Sequence, residues 1–307
     1  MEPPQAYANE RDILIIGDLP IYVSRDSVEM WASPELFKID AAGNPVSVAG
    51  TPPDQFSATG QYWGNPIYDW DAMEQTASPG GKAASAPHST CTTLSVWTTS
   101  VALRPTGRCR SPRPTRPTVR GHSPGLKLFK TLEEKLGTLP IIAEDLGFLT
   151  PGVIDMRDTS GFPGMKILQF AFEGTNSYYL PHNYIANTVA YVGTHDNETA
   201  RGWFEGTATP RQREQAALYT HQQAGESIAD ALNRTIAASV SDTCIYTMQD
   251  LLNLGNEARI NTPATLGGNW TWRMLDGAIT RELEHKLTDW TETYFRIPSE
   301  AEIELPQ

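Results

Sequence analysis

The 307 residues carry 36 acidic against 24 basic side chains, for a net charge of −12, and 39% of them are hydrophobic. That balance describes a folded globular chain and speaks against nucleic acid as a partner, because phosphate binding needs a basic face. No apolar stretch approaches the ~20 residues of a membrane helix, and MEPPQAYANERD has no signal-peptide layout; with three cysteines and no zinc-ligand spacing, a reducing cytoplasm is expected. In chain order, residues 13–16 read as a short buried strand ending at Gly17-Asp18. Residues 126–136 read as a helix, and 140–143 as a strand ending at Glu144-Asp145. A third strand, 190–194, ends at His195-Asp196-Asn197. Helices follow over 211–223, 226–238 and 281–294, the last with Leu283, Leu287, Trp290 and Tyr294 on one apolar face. Alternating strands and helices imply a parallel sheet with crossover helices.

Residues 77–123 do not fit this pattern. The window has no Asp or Glu, but it holds Lys82 and six arginines (Arg104, Arg108, Arg110, Arg113, Arg116 and Arg120). It is crowded with Ser, Thr and Pro and shows neither helix nor strand periodicity, so it is expected to be aberrant and disordered.

Three strands thus end in acid. At the C-terminal mouth of a (β/α)8 barrel, Asp18, Glu144 and Asp196 would share one cleft, and two carboxylates across a glycosidic bond suffice for glycosyl transfer. The alternative for each is an N-cap on the following helix.

Longer motifs sharpen this. The run VAGTPPD from Val48, with FSATGQYWGNP from Phe56, is rich in Gly and Pro and spaces Gln61, Trp63 and Asn65 to line a sugar site. With GDLPIYV from Gly17, IIAEDLG from Ile141, GFPGMKILQFAF from Gly161, GTHDNET from Gly193, MQDLLNLGNEARINTP from Met248 and GNWTWR from Gly268, it resembles the amylomaltases, which are 4-α-glucanotransferases. The resemblance implies an α/β fold, a (β/α)8 TIM-type barrel of the α-amylase kind, with residues 1–307 as one partial catalytic domain. It further implies retaining transfer of α-1,4-glucan segments between maltooligosaccharide donors and acceptors, with no cofactor and no metal. By the same resemblance Glu144 is the general acid/base, Asp196 the carboxylate that stabilises the transition state, and His195 its neighbour on the same sugar. Asp18, Gln61, Trp63 and Asn261 are substrate-binding positions, although Ala264 stands where the family pattern has glycine. Trp63 as a core residue, and His195 as a partner of a backbone carbonyl, are the plain alternatives. A glucan-binding protein without chemistry and an α-glucan hydrolase are the competing functions.

The family's nucleophilic Asp lies in a motif of the form LYD-x-VR-[IV]-DHFRG, and no such motif is present; the odd window occupies its place. The genetic code offers an explanation. Trp97 is TGG and Thr98 begins AC, so a frame read from the third base of each codon gives GAC, aspartate, across that junction. In the same frame residues 98–102 permit His-Phe-Arg-Gly, residues 90–93 permit Leu-Tyr-Asp, and residues 94–96 permit Val-Arg across their junctions. The window is therefore read as the family's own segment translated in a shifted frame, restored near Pro124. The nucleophile is expected at the Trp97/Thr98 position and is absent, so the barrel is expected to be incomplete, with the first strands and the nucleophile strand missing or altered.

Overall fold

The structure, a computed structural model, describes residues 4–19, 22–51, 59–76, 94–97, 125–146, 151–174, 177–263, 265 and 267–297. These fall into two compact units, Met1–Met165 and Lys166–Gln307.

The first unit opens with α1 (Pro4–Asn9), β1 (Ile16–Leu19) and α2 (Val28–Ala32). A two-stranded antiparallel ribbon follows, β2 (Val48–Thr51) and β3 (Gln61–Pro66), with Gly50 opposite Tyr62 and Thr51 opposite Gln61. Then come α3 (Trp70–Thr76), β4 (Leu94–Trp97), α4 (Leu126–Leu136), β5 (Ile141–Ala143), α5 (Pro151–Ser160) and β6 (Gly164–Ile167). Strands β1, β4 and β5 run parallel, with β4 in the middle, and Ala143 of β5 pairs Gly164 of β6. Each parallel step from β4 onward carries a helix between its strands, the α/β arrangement that the strand–helix alternation implies.

Two expectations are corrected here. Residues 13–16 are not a buried strand: Ile13 and Leu14 are 55% and 59% exposed, and pairing begins at Ile16, opposite Leu94. The ladder to β4 spans only four residues, Ile16 to Leu19, so Asp18 falls inside β1, opposite Val96, instead of past its end. The second correction concerns the window. Leu94–Trp97 forms a strand where the sequence shows no strand periodicity; the rest of 77–123, including Thr98, lies outside the described residues. Ladder hydrogen bonds come from the backbone, and Leu, Val and Trp all suit a pleated strand, so four residues can pair without an alternating pattern.

The second unit contains β7 (Thr188–Tyr191), α6 (Ala200–Gly202), α7 (Pro210–Tyr219), α8 (Ile228–Ala237), β8 (Thr243–Ile245), α9 (Met248–Leu251) and α10 (Arg281–Thr293). Strands β7 and β8 are parallel, with Val189 opposite Thr243 and Tyr191 opposite Ile245. The core lies under α8, whose Ile228, Leu232 and Ile236 recur every four residues and are buried against β7. On α10, Leu283 is buried and Leu287, Trp290 and Tyr294 are half-buried, so the apolar face read from the sequence is the inward one. Helix α7 starts on a capping box: Thr209 N donates to Gln212 Oε1 (2.8 Å) while Gln212 N donates to Thr209 Oγ1 (3.3 Å), with Pro210 in the first turn. Thr209→Ala removes that acceptor, and urea denaturation is expected to register a loss of about 1 kcal/mol; an unchanged midpoint would show the cap contributes nothing.

Among the described residues no helix is long and apolar enough to cross a membrane.

Candidate active site

In the second unit the sequence after β7 builds a tight turn. Asn197 Oδ1 accepts hydrogen bonds from Thr194 N (2.9 Å) and Thr194 Oγ1 (3.0 Å), and Asn197 itself is buried. An Asn side chain closing a turn on the backbone before it fixes the two residues between. Those two are His195, exposed, and Asp196, half-buried. His195 Nε2 lies 3.4 Å from Asp196 Oδ1.

The irregular segment after α9 supplies the partners. Asn261 Nδ2 donates to Asp196 Oδ1 at 2.6 Å, and Asn261 N donates to His195 O at 3.0 Å. Arg259 ties the same two segments together, donating from Nη2 to Asp196 O (2.7 Å) and from Nε to Asn261 O (2.8 Å). The Trp270 ring lies 5.0 Å from that of His195. Asp196, His195 and Asn261 are thus brought into one cluster, held by these four hydrogen bonds to backbone and side chain. Asp196 Oδ1 is committed to Asn261. Arg259 and Trp270 were not assigned from the sequence; the signal available was their position inside the motifs NEARINTP and GNWTWR. Ala264 lies outside the described residues.

Beneath this cluster Asp250 is 1% exposed and accepts a hydrogen bond from Ala200 N at 2.7 Å. Burial pushes its carboxyl above the ordinary range, and the Ala200 N–H bond opposes that shift. It anchors the first turn of α6 and so the chain leaving the His195–Asn197 turn.

In the first unit Glu144 follows β5 directly and is half-buried. Its neighbour Asp145 is fully buried, with Oδ1 accepting from Met165 N (2.7 Å) and Oδ2 from Arg157 Nη1 (2.5 Å). The pair closes over Gly164, where a Cβ would lie 2.7 Å from Asp145 Oδ2 and 2.9 Å from Arg157 Cδ. Only glycine lets β6 pass beneath it. This fixes the end of β5, and with it the backbone of Glu144.

Gln61 and Trp63 stand two residues apart on β3, the spacing that puts side chains on one face of a strand, and Trp63 Nε1 donates to Gln61 Oε1 at 3.1 Å. Trp63 is exposed and not core. Its ring lies 6.4 Å from that of Tyr22, which stacks on Tyr68 at 6.0 Å; burial, and then Tyr68, push the Tyr22 phenol up to about 12. Residues 52–58 of the preceding Gly/Pro loop lie outside the described residues.

Trp97, the last described residue of β4, pairs both Leu19 and Ala143, and Ala143 is followed by Glu144; Thr98 lies outside the described residues. The Trp97/Thr98 junction is where the alternative frame encodes aspartate.

Comparison with known proteins completes the picture. The family profile described as 4-alpha-glucanotransferase, of glycoside hydrolase family 77, matches residues 1–77 and 117–279, and its interruption coincides with the odd window. A 4-alpha-glucanotransferase of Streptococcus pneumoniae serotype 4 is 45% identical over 325 residues, covering 95% of this chain and 58% of that protein. One from Clostridium butyricum is 43% identical over 295 residues, covering 94% and 60%. Among solved structures, the amylomaltase from Streptococcus agalactiae in complex with acarbose superposes with a TM-score of 0.85 at 40% identity, over 95% of this chain and 59% of that one. The chain therefore spans about three fifths of the length of these relatives. A profile match on both sides of the window, with these identities, makes the chain a member of glycoside hydrolase family 77, the 4-alpha-glucanotransferases.

Proposed function

We propose that this sequence is part of a cytoplasmic 4-α-glucanotransferase that moves α-1,4-glucan segments between maltooligosaccharides, and that the polypeptide as written binds glucan without turning it over. The observation that carries the reading is the cluster in which Asn261 and Arg259 hold Asp196 beside His195, with Asp196 oriented by its Oδ1. In a retaining transfer one carboxyl attacks the anomeric carbon while a second protonates the leaving oxygen and later deprotonates the acceptor hydroxyl. Glu144, on the rigid end of β5, takes the acid/base role. Asp196 stabilises positive charge on the sugar, and His195 binds hydroxyls of the same residue. Gln61 and Trp63 receive the acceptor, the indole offering a flat apolar face to a glucose ring, and Asp18 binds substrate near the end of β1. The barrel to which these strands belong is a (β/α)8 barrel of the α-amylase kind, in one catalytic domain with window 77–123 as its aberrant part.

The nucleophile is the gap. A covalent glycosyl–enzyme needs a carboxylate nucleophile, and Trp97 and Thr98 stand where the family's motif carries it. Calorimetric titration of the chain with maltoheptaose, beside an assay for disproportionation products, tests both halves of the proposal. Binding with no products is expected. Products that disappear in Glu144→Gln would show that this chain has a nucleophile of its own, and absence of binding would remove the glucan reading altogether.

A further inference from the structure

Trp270 is an expensive residue for its position. Its φ is +61°, a left-handed conformation that a bulky side chain adopts at a cost and that glycine or asparagine would adopt readily. Nor does the side chain repay this by burial, since Trp270 is 62% exposed. The loop around it is nonetheless well tied. Trp270 N donates to Ile260 O (2.7 Å), Asn269 Oδ1 accepts from Thr262 N (3.0 Å), and Asn269 Nδ2 donates to Thr265 Oγ1 (3.1 Å). Gly267 and Gly268, at φ +79° and +75°, turn the chain back toward Ile260. The result is an indole presented to solvent, its ring 5.0 Å from the His195 ring at an interplanar angle of 40°. A strained, exposed aromatic on a fixed loop beside a polar binding cluster has the properties of a ligand platform.

We propose that Trp270 stacks its indole face on the glucose unit adjoining the one held by His195 and Asp196, and so sets how strongly longer maltooligosaccharides bind. This rests on the α-glucan reading of the site. A pyranose ring has an apolar C–H face and a rim of hydroxyls; the indole takes the face while His195 and Asp196 take hydroxyls of the neighbouring unit.

The test separates strain from recognition. Trp270→Gly removes the indole and also the backbone penalty, so its Tm is expected to be unchanged or raised, while its Kd for maltoheptaose by titration calorimetry weakens about tenfold. Trp270→Tyr keeps a flat ring and is expected to bind within about threefold of the parent. Trp31→Ala, at a tryptophan 85% exposed on α2, is expected to bind as the parent does. If the parent binds and Trp270→Gly binds equally well, or if Trp270→Tyr loses as much as Trp270→Gly, the platform is overturned and the glucan reading stands. If the parent itself does not bind maltoheptaose, both are overturned.

Discussion

Arg157→Met is expected to destabilise the chain by about 3–5 kcal/mol, a large fraction of the ~5–15 kcal/mol that holds a domain folded. Arg157 and Asp145 side chains are 5% and 1% exposed, with Nη1 and Oδ2 2.5 Å apart. Both charges have left water; Arg157 also donates from Nε (2.9 Å) and Nη2 (2.6 Å) to Asp158 Oδ1, on a side chain 55% exposed. Among the described residues, deleting the guanidinium leaves the buried carboxylate with the Met165 N–H as its hydrogen-bond donor. Restoring balance should restore stability. Asp145→Asn combined with Arg157→Met removes both charges, keeps an acceptor for Met165 N, and is expected to recover more than half of the loss. The exposed pair Arg201–Glu205 is the contrast, with side chains 45% and 61% exposed. There, Arg201→Met is expected to change stability by less than about 0.5 kcal/mol, because solvent screens the pair. Urea denaturation followed by circular dichroism reads all three. A single mutant at Arg157 within 1 kcal/mol of the parent would mean that the pair does not hold β5 and β6 together, and that Glu144 is positioned by something else.

That ion pair marks the limit of what the sequence discloses. The acid at the end of a strand is visible in IIAEDLG, yet nothing in the run separates Glu144, which stays half-buried, from Asp145, which turns inward. The difference is made by Arg157, twelve residues on in α5, and by Gly164 on β6. Contacts of that kind depend on tertiary packing and leave no periodic trace. Local signals did better. Helix α4 spans the same 126–136 that its pattern implies, and the His195–Asn197 turn falls where an Asp and Asn follow an apolar run. Asn261, named only through the family resemblance, sits on Asp196. Apolar content misled at residues 13–16, because a strand is fixed by the ladder available to it, and β4 gives β1 four partners starting at Ile16. Trp270 shows a further blind spot: its motif is legible, but a positive φ is not.

Returning window 77–123 to the alternative frame, in whatever coding sequence the DNA places around it, is expected to raise disproportionation from background by on the order of 10⁴-fold or more, the scale on which a catalytic nucleophile acts. Sequencing the coding DNA from upstream of Met1 through Pro124 comes first, since a sequence that cannot encode Asp-His-Phe-Arg-Gly in that frame removes the basis for the experiment. If it can, Glu144→Gln in the restored protein should abolish the gain, because the glycosyl–enzyme then neither forms nor resolves without an acid/base. Activity in the chain as written, lost on Glu144→Gln, would contradict the proposal from the other side. The structure explains how the two properties part. Strand β4 pairs β1 and β5 through backbone groups, which every reading frame supplies unless it introduces proline, so the parallel register survives with Leu94, Ser95, Val96 and Trp97 in place. The chemistry depends on one carboxylate, which the alternative frame supplies at the Trp97/Thr98 junction. A shifted frame can preserve the ladder while deleting the carboxylate, and the interruption of the family match at residues 78–116 falls across that position.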